Sequence, residues 1–487
     1  MKIKAIPLFL ILLPIYFLIF NGTGFSFQLS LNLIKTIFVY YTAIGLLFGL
    51  IYLLNKNVKT TAVISFDILF LFLFFGNIKD SFVNIPFLYS YKFLISLFIL
   101  ITIFNYLILR KNKNYVEPQF RFLNKLILVL FVVQIVLFIR SVPHYIELKK
   151  DTFATAYPQK QANIHLILLD AYPGFISLKQ QFNYENNELK NFFRKNNCYV
   201  FDTIFSNYIQ TYYSMNSLLN LQHIQYLNEK NIKRYSTVLQ QLKEINENQF
   251  LKLLIQNGYT FYNNSIFEIE NMQPLNAQLK FTPYEDLINR NTFYNRLMKD
   301  NLWKFTQDRF KINSVYDKIV LGQFHQIKNQ IAYAKQYKSN APYFVYTHLL
   351  MPHEPYFTDS LGTLKLNKDR NIETEKRQFL DYLKYTNLEL KETFNQIKSS
   401  DSNALIIIMS DHGYRDFNTP SEIKLSFNNL LVVYSKDIDT VHLKKIHTNV
   451  NLFRVIANDF LKQNLPLIPD TLFYINEEKG SINKIQL

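Results

Sequence analysis

Four short stretches of this 487-residue chain carry side chains able to bind a cation or handle a phosphate-like anion. The first is Asp411-His412-Gly413, which follows the apolar run Leu405–Met409 and Ser410. A hard carboxylate oxygen beside an imidazole suits a divalent ion such as zinc or manganese. The second is Asp170, at the end of the apolar run Ile164–Leu169. A buried strand does not run into a carboxylate without a partner. The third holds hydroxyls at Thr211, Ser214 and Ser217, recurring at a helical spacing of three. A helix beginning near Thr211 would aim backbone N–H groups and its positive dipole end at an anion. The fourth runs from Thr347 to Tyr356, where His348 and His353 straddle Pro352. The proline between them argues against a regular helix and for a loop after a strand. Imidazoles placed there can hold phosphate oxygens or protonate a leaving group. Taken singly, each stretch has a plainer explanation: a turn, a capped helix with a polar face, or a pair of surface histidines.

The elements that must position these residues have an α/β pattern. Apolar runs at Ile164–Leu169, Tyr343–Tyr346, Ala404–Met409 and Leu430–Tyr434 have the length of buried strands in a parallel sheet. Between them, Glu185–Asn196, Thr237–Asn257, Asn313–Gln336 and Glu373–Ile397 are long enough for helices. Ligands of such sheets gather at the carboxyl ends of the strands. Asp170, His348 and Asp411-His412 all fall there. Residues 463–487 are expected to form a tail or edge element without chemistry.

Ahead of this domain the chain is apolar. Ala5–Phe20, Thr36–Leu54, Thr61–Phe75, Phe93–Leu109 and Leu126–Ile139 approach or meet the roughly 20 residues needed to span a bilayer. Lys2 and Lys4 before the first stretch resemble the start of a signal peptide. No small-residue cleavage site follows, so it is expected to stay as an anchor. Basic residues cluster before the first stretch, between the second and third, and between the fourth and fifth, which places the N-terminus in the cytoplasm. Five crossings then export everything after about Ser141. Asp67 lies inside the third stretch, either as a functional carboxylate or as one reaching the headgroups.

Net charge agrees with this division. Of the overall +16, residues 1–150 contribute 15 Lys and Arg against 4 Asp and Glu, and the remainder 38 against 33. The basic excess is therefore juxtamembrane, and nucleic acid is not the expected partner. An apolar fraction of 49% excludes intrinsic disorder, and a single Cys, Cys198, excludes a disulfide framework, a thiolate zinc finger and an iron–sulfur cluster.

In order and spacing, the four stretches together resemble the alkaline phosphatase superfamily in its sulfatase-like, membrane-anchored branch. Phosphoethanolamine and phosphoglycerol transferases and lipoteichoic acid synthases belong to that branch. The resemblance implies a five-helix transmembrane region (1–142), a linker (143–162), a sulfatase-like extracytoplasmic catalytic domain (163–465) and a C-terminal tail (466–487). It implies Asp170, Thr211, Asp411 and His412 as metal ligands, Thr211 also as the catalytic nucleophile 41 residues after Asp170, and His348 and His353 as substrate-binding residues. The implied cofactor is a divalent metal, zinc first, with manganese or magnesium as alternatives. The implied activity is transfer of a phospholipid-headgroup phosphoryl unit through a phosphothreonine. The donor would be a membrane phospholipid, and the acceptor a cell-envelope glycan or lipid on the periplasmic side of the plasma (inner) membrane. A phosphate- or sulfate-ester hydrolase and a non-catalytic envelope-binding relative are the alternatives.

The chain departs from the family pattern in two places. No His follows Asp411-His412-Gly413 closely, the next being His442 and His447, so one ion per chain is expected. The Cys/Ser-x-Pro-x-Arg signature of true sulfatases is absent, which disfavours sulfate ester hydrolysis. Cys198, within Asn197-Cys198-Tyr199-Val200, is expected to pack as a small hydrophobe.

Overall fold

The computed structural model describes residues 6–22, 31–82, 85, 87–141, 162–229, 232, 235–270, 272, 288–297, 325–336, 341–364, 372–415, 420–476 and 480–487. The expected linker, 143–162, falls outside these apart from residue 162, as do residues 313–324 of an expected helix. The chain forms two compact units. One comprises Met1–His144 with Thr282–Asn313, the other Tyr145–Phe281 with Ser314–Leu487.

The first unit is helical: α1 (Leu8–Gly22), α2 (Leu31–Asn55), α3 (Val58–Asp80), α4 (Tyr91–Lys111) and α5 (Val116–Ser141). The last four contain windows long and apolar enough to cross a membrane, and α1 is a shorter apolar helix. Side-chain caps fix two starts: Asn57 accepts from the Thr60 N–H at 3.0 Å and Ser90 from that of Phe93 at 3.3 Å. The last four helices outrun both ends expected from hydropathy, whereas α1 starts later than the expected Ala5 and ends beyond Phe20. The largest extension is in α5, which takes in Glu117, Arg121 and Lys125; Glu117 pairs with Lys59 and with Arg121. Such i,i+4 and interhelical pairs let a helix continue into the interface beyond its apolar segment. Asp67 is not an isolated charge, since Asn105 donates to it at 2.6 Å and Gln119 donates to Asn105 at 3.3 Å.

Residues 288–297 pack on this unit. Asn291 donates to Asn21 at 2.7 Å, Tyr40 bonds to Asn289 at 2.5 Å, and Arg296 pairs with Asp80. A Cβ at Gly76 would lie 2.7 Å from the Asn291 Cα, so only glycine admits the approach. The carboxyl ends of α1 and α3 therefore meet at one end of the unit. The start of α1 lies with α5, where Asn124 donates to the Ile6 carbonyl at 3.0 Å.

The second unit is built on a six-stranded sheet of order β2-β6-β5-β1-β4-β3. The strands are β1 (Ile164–Asp170), β2 (Tyr199–Val200), β3 (Thr260–Asn264), β4 (Tyr343–Pro352), β5 (Leu405–Ser410) and β6 (Leu431–Tyr434). β3, β4, β1 and β5 are parallel; β6 runs antiparallel to β5, and β2 to β6. Alternate residues cover opposite faces. Leu166, Leu168, Phe344, Tyr346, Ile407 and Met409 pack under the helices Thr211–Leu219, Gln249–Gln256 and Asn449–Leu461. Ile167, Leu169, Ile406 and Ile408 pack under the helices Asn187–Lys195 and Ile372–Ser400. Each fully buried Leu or Ile adds roughly 2 kcal/mol of transfer free energy. Burial on both faces explains the continuous apolar runs.

The structure corrects the sequence expectations at three points. The stretch Thr237–Asn257 is two helices, Tyr235–Asn246 and Gln249–Gln256, because Asn248 caps the second through the Leu251 N–H at 2.8 Å. β3 is an additional strand, with no apolar run to mark it. β4 continues to Pro352, so His348 belongs to a strand and only His353 to the following loop. The C-terminal residues form an antiparallel hairpin, β7 (Thr471–Asn476) and β8 (Ser481–Gln486).

Candidate metal centre

Strand alternation assembles the site. The pattern that points Leu168, Tyr346 and Met409 toward the helix Thr211–Leu219 points Asp170, His348 and Asp411 to the same side. β1 and β4 register Leu168 against His348, and β1 and β5 register Leu169 against Ser410, so the three groups arrive at one level of adjacent strands. One donor atom from each of Asp170, His348 and Asp411 lies within 4.8 Å of the others, and all three residues are buried. His412 joins them. Its Nε2 is 3.3 Å from Asp411 Oδ2 and 3.8 Å from Asp170 Oδ1, and His348 Nε2 is 3.8 Å from Asp170 Oδ2.

Among the described residues, none makes a hydrogen bond to Asp170 Oδ1, Asp411 Oδ2, His348 Nε2 or His412 Nε2. Buried polar atoms are seldom left so. Four of them converging, two carboxylate oxygens and two imidazole nitrogens, form a donor set that fits a divalent cation, zinc in particular. The rest of each side chain is held. His412 Nδ1 donates to the Gly413 carbonyl at 2.7 Å, which fixes the tautomer with its lone pair on Nε2. His348 Nδ1 contacts the Tyr346 hydroxyl at 3.1 Å. Asp411 Oδ1 accepts from the Ala171 and His412 N–H groups at 3.1 and 2.9 Å. Gly413 permits the turn, because a Cβ there would lie 2.4 Å from the Asn428 carbonyl oxygen.

Charges in the cluster are strained without a cation. Burial, and then the neighbouring Asp170 charge, push the Asp411 carboxyl up to about 7. Burial acts on Asp170 in the same direction, but the imidazoles of His353, His348 and His412 hold it well below the usual carboxylate range. Burial, and then the Arg415 charge, lower His412 to about 3, so its ring is neutral and able to ligate.

Thr211 opens the helix Thr211–Leu219, whose start carries no side-chain cap. Its hydroxyl lies beside the Asp411 carboxylate and favours the charged form. The other two hydroxyls are committed elsewhere: Ser214 donates to the Asp411 backbone carbonyl at 2.6 Å and Ser217 to that of Gln222 at 2.8 Å. The loop before Thr211 is fixed from the C-terminal hairpin. Asn207 donates to the Thr471 carbonyl at 3.0 Å, Phe473 stacks on Tyr208, and Gln210 donates to the Ile475 carbonyl at 2.8 Å. Residues expected to lack chemistry thus hold the loop that carries the candidate nucleophile.

His353 is half-buried one residue beyond β4, its Nδ1 donating to the Glu354 carbonyl at 2.6 Å. His442 pairs with Asp459 at 2.9 Å and His447 is exposed; neither belongs to the cluster. Cys198 sits in the apolar layer on the opposite face, where burial pushes its thiol up to about 12. His348 and His353 thus part company, one in the cluster and one at its rim, and Tyr346, marked in sequence only as the end of an apolar run, contacts the site through its hydroxyl. Period-two alternation through Phe344, Tyr346 and His348 is the signal that places Tyr346 and His348 on the site's face.

The sulfatase family profile matches residues 166–462. The chain is also similar to the C-terminal periplasmic domain of EptC from Escherichia coli, at 14% identity over 66% of this chain and 92% of that one, with a TM-score of 0.40. A second similar structure is the soluble domain of lipooligosaccharide phosphoethanolamine transferase A from Neisseria meningitidis, at 13% identity over 63% and 91%, TM-score 0.36. A third is a sulfatase described as putative from Bacteroides thetaiotaomicron, at 11% identity over 63% and 72%, TM-score 0.37. No curated protein matches the sequence.

Proposed function

The chain belongs to the sulfatase family, and from that membership we propose a membrane-anchored, divalent-metal-dependent transferase. It moves a phospholipid-headgroup phosphoryl unit, through a phosphothreonine at Thr211, to a cell-envelope glycan or lipid. The convergence of four partnerless buried donor atoms beside the Thr211 hydroxyl carries this reading.

In this proposal Asp170, Asp411, His348 and His412 would hold one divalent ion, zinc first, near the Thr211 hydroxyl. A bound cation supplies charge neutralisation and lowers the pKa of an adjacent hydroxyl. The Thr211 hydroxyl would pass its proton to water as its oxygen attacks the headgroup phosphorus; the phosphorus–oxygen bond to diacylglycerol breaks, and the diacylglycerol oxygen leaves with a proton. His353, at the rim, faces the phosphoryl oxygens and supplies that proton. The uncapped first turn of the Thr211 helix directs its positive dipole end at the same oxygens. The acceptor hydroxyl would return a proton to His353 as its oxygen attacks the phosphothreonine phosphorus, the phosphorus–oxygen bond to Thr211 breaks, and the threonine oxygen takes up a proton from water. Threonine as nucleophile, with Cys198 remote and un-ionised, supports phosphoryl over sulfuryl chemistry. In the proposed topology five helices cross the plasma (inner) membrane from a cytoplasmic N-terminus, and the catalytic unit faces the periplasm. This keeps the site near the leaflet that holds the donor.

Full-length protein in lipid nanodiscs, given a phospholipid with a labelled headgroup, tests the reading. Diacylglycerol release that requires a divalent ion and is lost in Thr211→Ala supports it. Label passing to an added glycan or lipid acceptor identifies a transferase, and label passing only to water identifies a hydrolase. No release with any headgroup overturns both.

A further inference from the structure

Three loops carry residues of the candidate centre, and one buried turn joins them. The first follows Asp170 and runs through Gly174 to Ser177. The second runs from Ile204 to Thr211, and the third follows His412 at Gly413. Residues 426–429, just ahead of β6, bond to all three. The Ser426 carbonyl accepts from the Gly413 N–H at 2.8 Å, the Phe427 carbonyl from the Ser206 N–H at 2.7 Å, and the Asn428 carbonyl from the Gly174 N–H at 2.9 Å. Ser426, Phe427, Asn428 and Asn429 are all buried.

The Asn428 side chain adds two links that the backbone alone does not make. Its Oδ1 accepts from the Ser177 N–H at 3.1 Å, and its Nδ2 donates to the Ile204 carbonyl at 3.0 Å. An amide accepts and donates from one planar group, so a single side chain spans two loops. Ser177 is the third residue of the helix Phe175–Phe182, whose N-cap residue, Gly174, has no side chain to satisfy that N–H. Asn428 therefore caps this helix from across the fold. Gly174 leaves it room, because a Cβ there would lie 2.6 Å from the Asn428 Cγ. The Ile204 end of the link lies seven residues before Thr211. The same turn reaches the ligands. Gly413, held by Ser426, accepts from His412 Nδ1 at 2.7 Å, which sets the direction of Nε2. Asn429 Nδ2 donates to the carbonyl of Ser410, the residue before Asp411.

We infer that Asn428 is a positioning residue: it sets the spacing between the loop after Asp170 and the loop that delivers Thr211, against the turn that aims His412. For the ligands the inference rests on the donor set alone, and for turnover it rests on the transferase reading. A helix cap is the purely structural alternative, and the two roles separate because the Ser177 and Ile204 links can be changed independently. With the Asn428 side chain removed, a serine introduced at Gly174 has room to cap the helix locally, yet it cannot restore the link to Ile204.

The test uses the full chain and three readouts: the melting midpoint with chelator, zinc affinity by competition with a chromogenic chelator, and phospholipid turnover in nanodiscs. Asn428→Ala should lower the midpoint by a few degrees and weaken zinc binding about tenfold. It should cut kcat about 100-fold, the scale of a displacement near 1 Å at the nucleophile, with KM for the phospholipid within about twofold of wild type. Gly174→Ser added to Asn428→Ala should recover most of the midpoint and neither the zinc affinity nor kcat. Gly174→Ala alone, which crowds the Asn428 amide from the other side, should give the same zinc loss, and it serves if Asn428→Ala does not fold. Wild-type zinc affinity in Asn428→Ala, or recovery of zinc affinity together with the midpoint in the double variant, would overturn the inference and leave Asn428 a cap. A wild-type protein that binds zinc but turns over no phospholipid would sink the transferase reading, and the zinc arm would still decide the role of Asn428. No zinc binding by wild type would overturn both.

Discussion

Replacing Asp411 by Asn should stabilise the metal-free protein at alkaline pH while abolishing its response to zinc. Oδ1 of Asp411 accepts two backbone N–H groups, and Asn retains that acceptor. What changes is the second oxygen, which faces His412 and the Asp170 carboxylate without a hydrogen bond. Its carboxyl is displaced from an ordinary 3.8 to about 7, first by burial and then by the Asp170 charge. Because the folded value is raised, the benefit of the protonated form is complete below about pH 4 and is lost as pH rises through 7. Above that, the ionised group costs the metal-free fold on the order of 4 kcal/mol. Asn never pays it. Thermal unfolding of full-length protein in detergent, with chelator and with zinc, reads both effects. At pH 8 with chelator the variant should melt several degrees above wild type, and at pH 5 the two should converge. Zinc should raise the wild-type midpoint, more at pH 8 than at pH 6, and leave the variant unmoved. A variant less stable than wild type at pH 8 with chelator, or one that zinc stabilises equally, would refute the assignment of Asp411 as a strained, metal-facing carboxylate.

Tyr346→Phe removes the hydroxyl against His348 Nδ1 and should weaken zinc binding about 10- to 100-fold without unfolding the protein, measured by competition with a chromogenic chelator. Gly413→Ala forces a methyl to within 2.4 Å of the Asn428 carbonyl oxygen and should cost about 1–3 kcal/mol of stability, seen as a lowered unfolding midpoint together with weaker zinc binding. A reporter active only outside the cytoplasm, fused after Leu487, should be active; a stable but silent fusion contradicts five crossings from a cytoplasmic N-terminus.

The α/β class and most of the site were legible because burial on both faces writes strands as unbroken apolar runs, and a carboxylate ending such a run stands out. Asp170 and Asp411-His412 were visible for that reason. β3 was not, since Thr260-Phe261-Tyr262-Asn263-Asn264 pairs on one side only, as an edge strand, and needs no apolar run. His348 is legible as lying at a strand's carboxyl end but not as part of the strand itself, because polar residues that continue a strand into a site break the apolar signal that marks its end. The contribution of residues 471–476 was invisible, because Thr471 and Ile475 act through backbone carbonyls, which side-chain chemistry does not announce. The docking of Asn289, Asn291 and Arg296 on the helical unit was likewise hidden, since asparagines in a polar stretch look the same whether solvated or paired.

The central claim is that Thr211 becomes covalently phosphorylated, and peptide mapping by mass spectrometry tests it most directly. Full-length protein is mixed with a phospholipid carrying an isotope-labelled phosphodiester headgroup, quenched in acid without acceptor, and digested. A labelled headgroup-phosphate adduct is expected on Thr211, absent after chelation and absent in Thr211→Ala. Steady turnover with no adduct on Thr211, or with the adduct on Ser214 or Ser217, would contradict it.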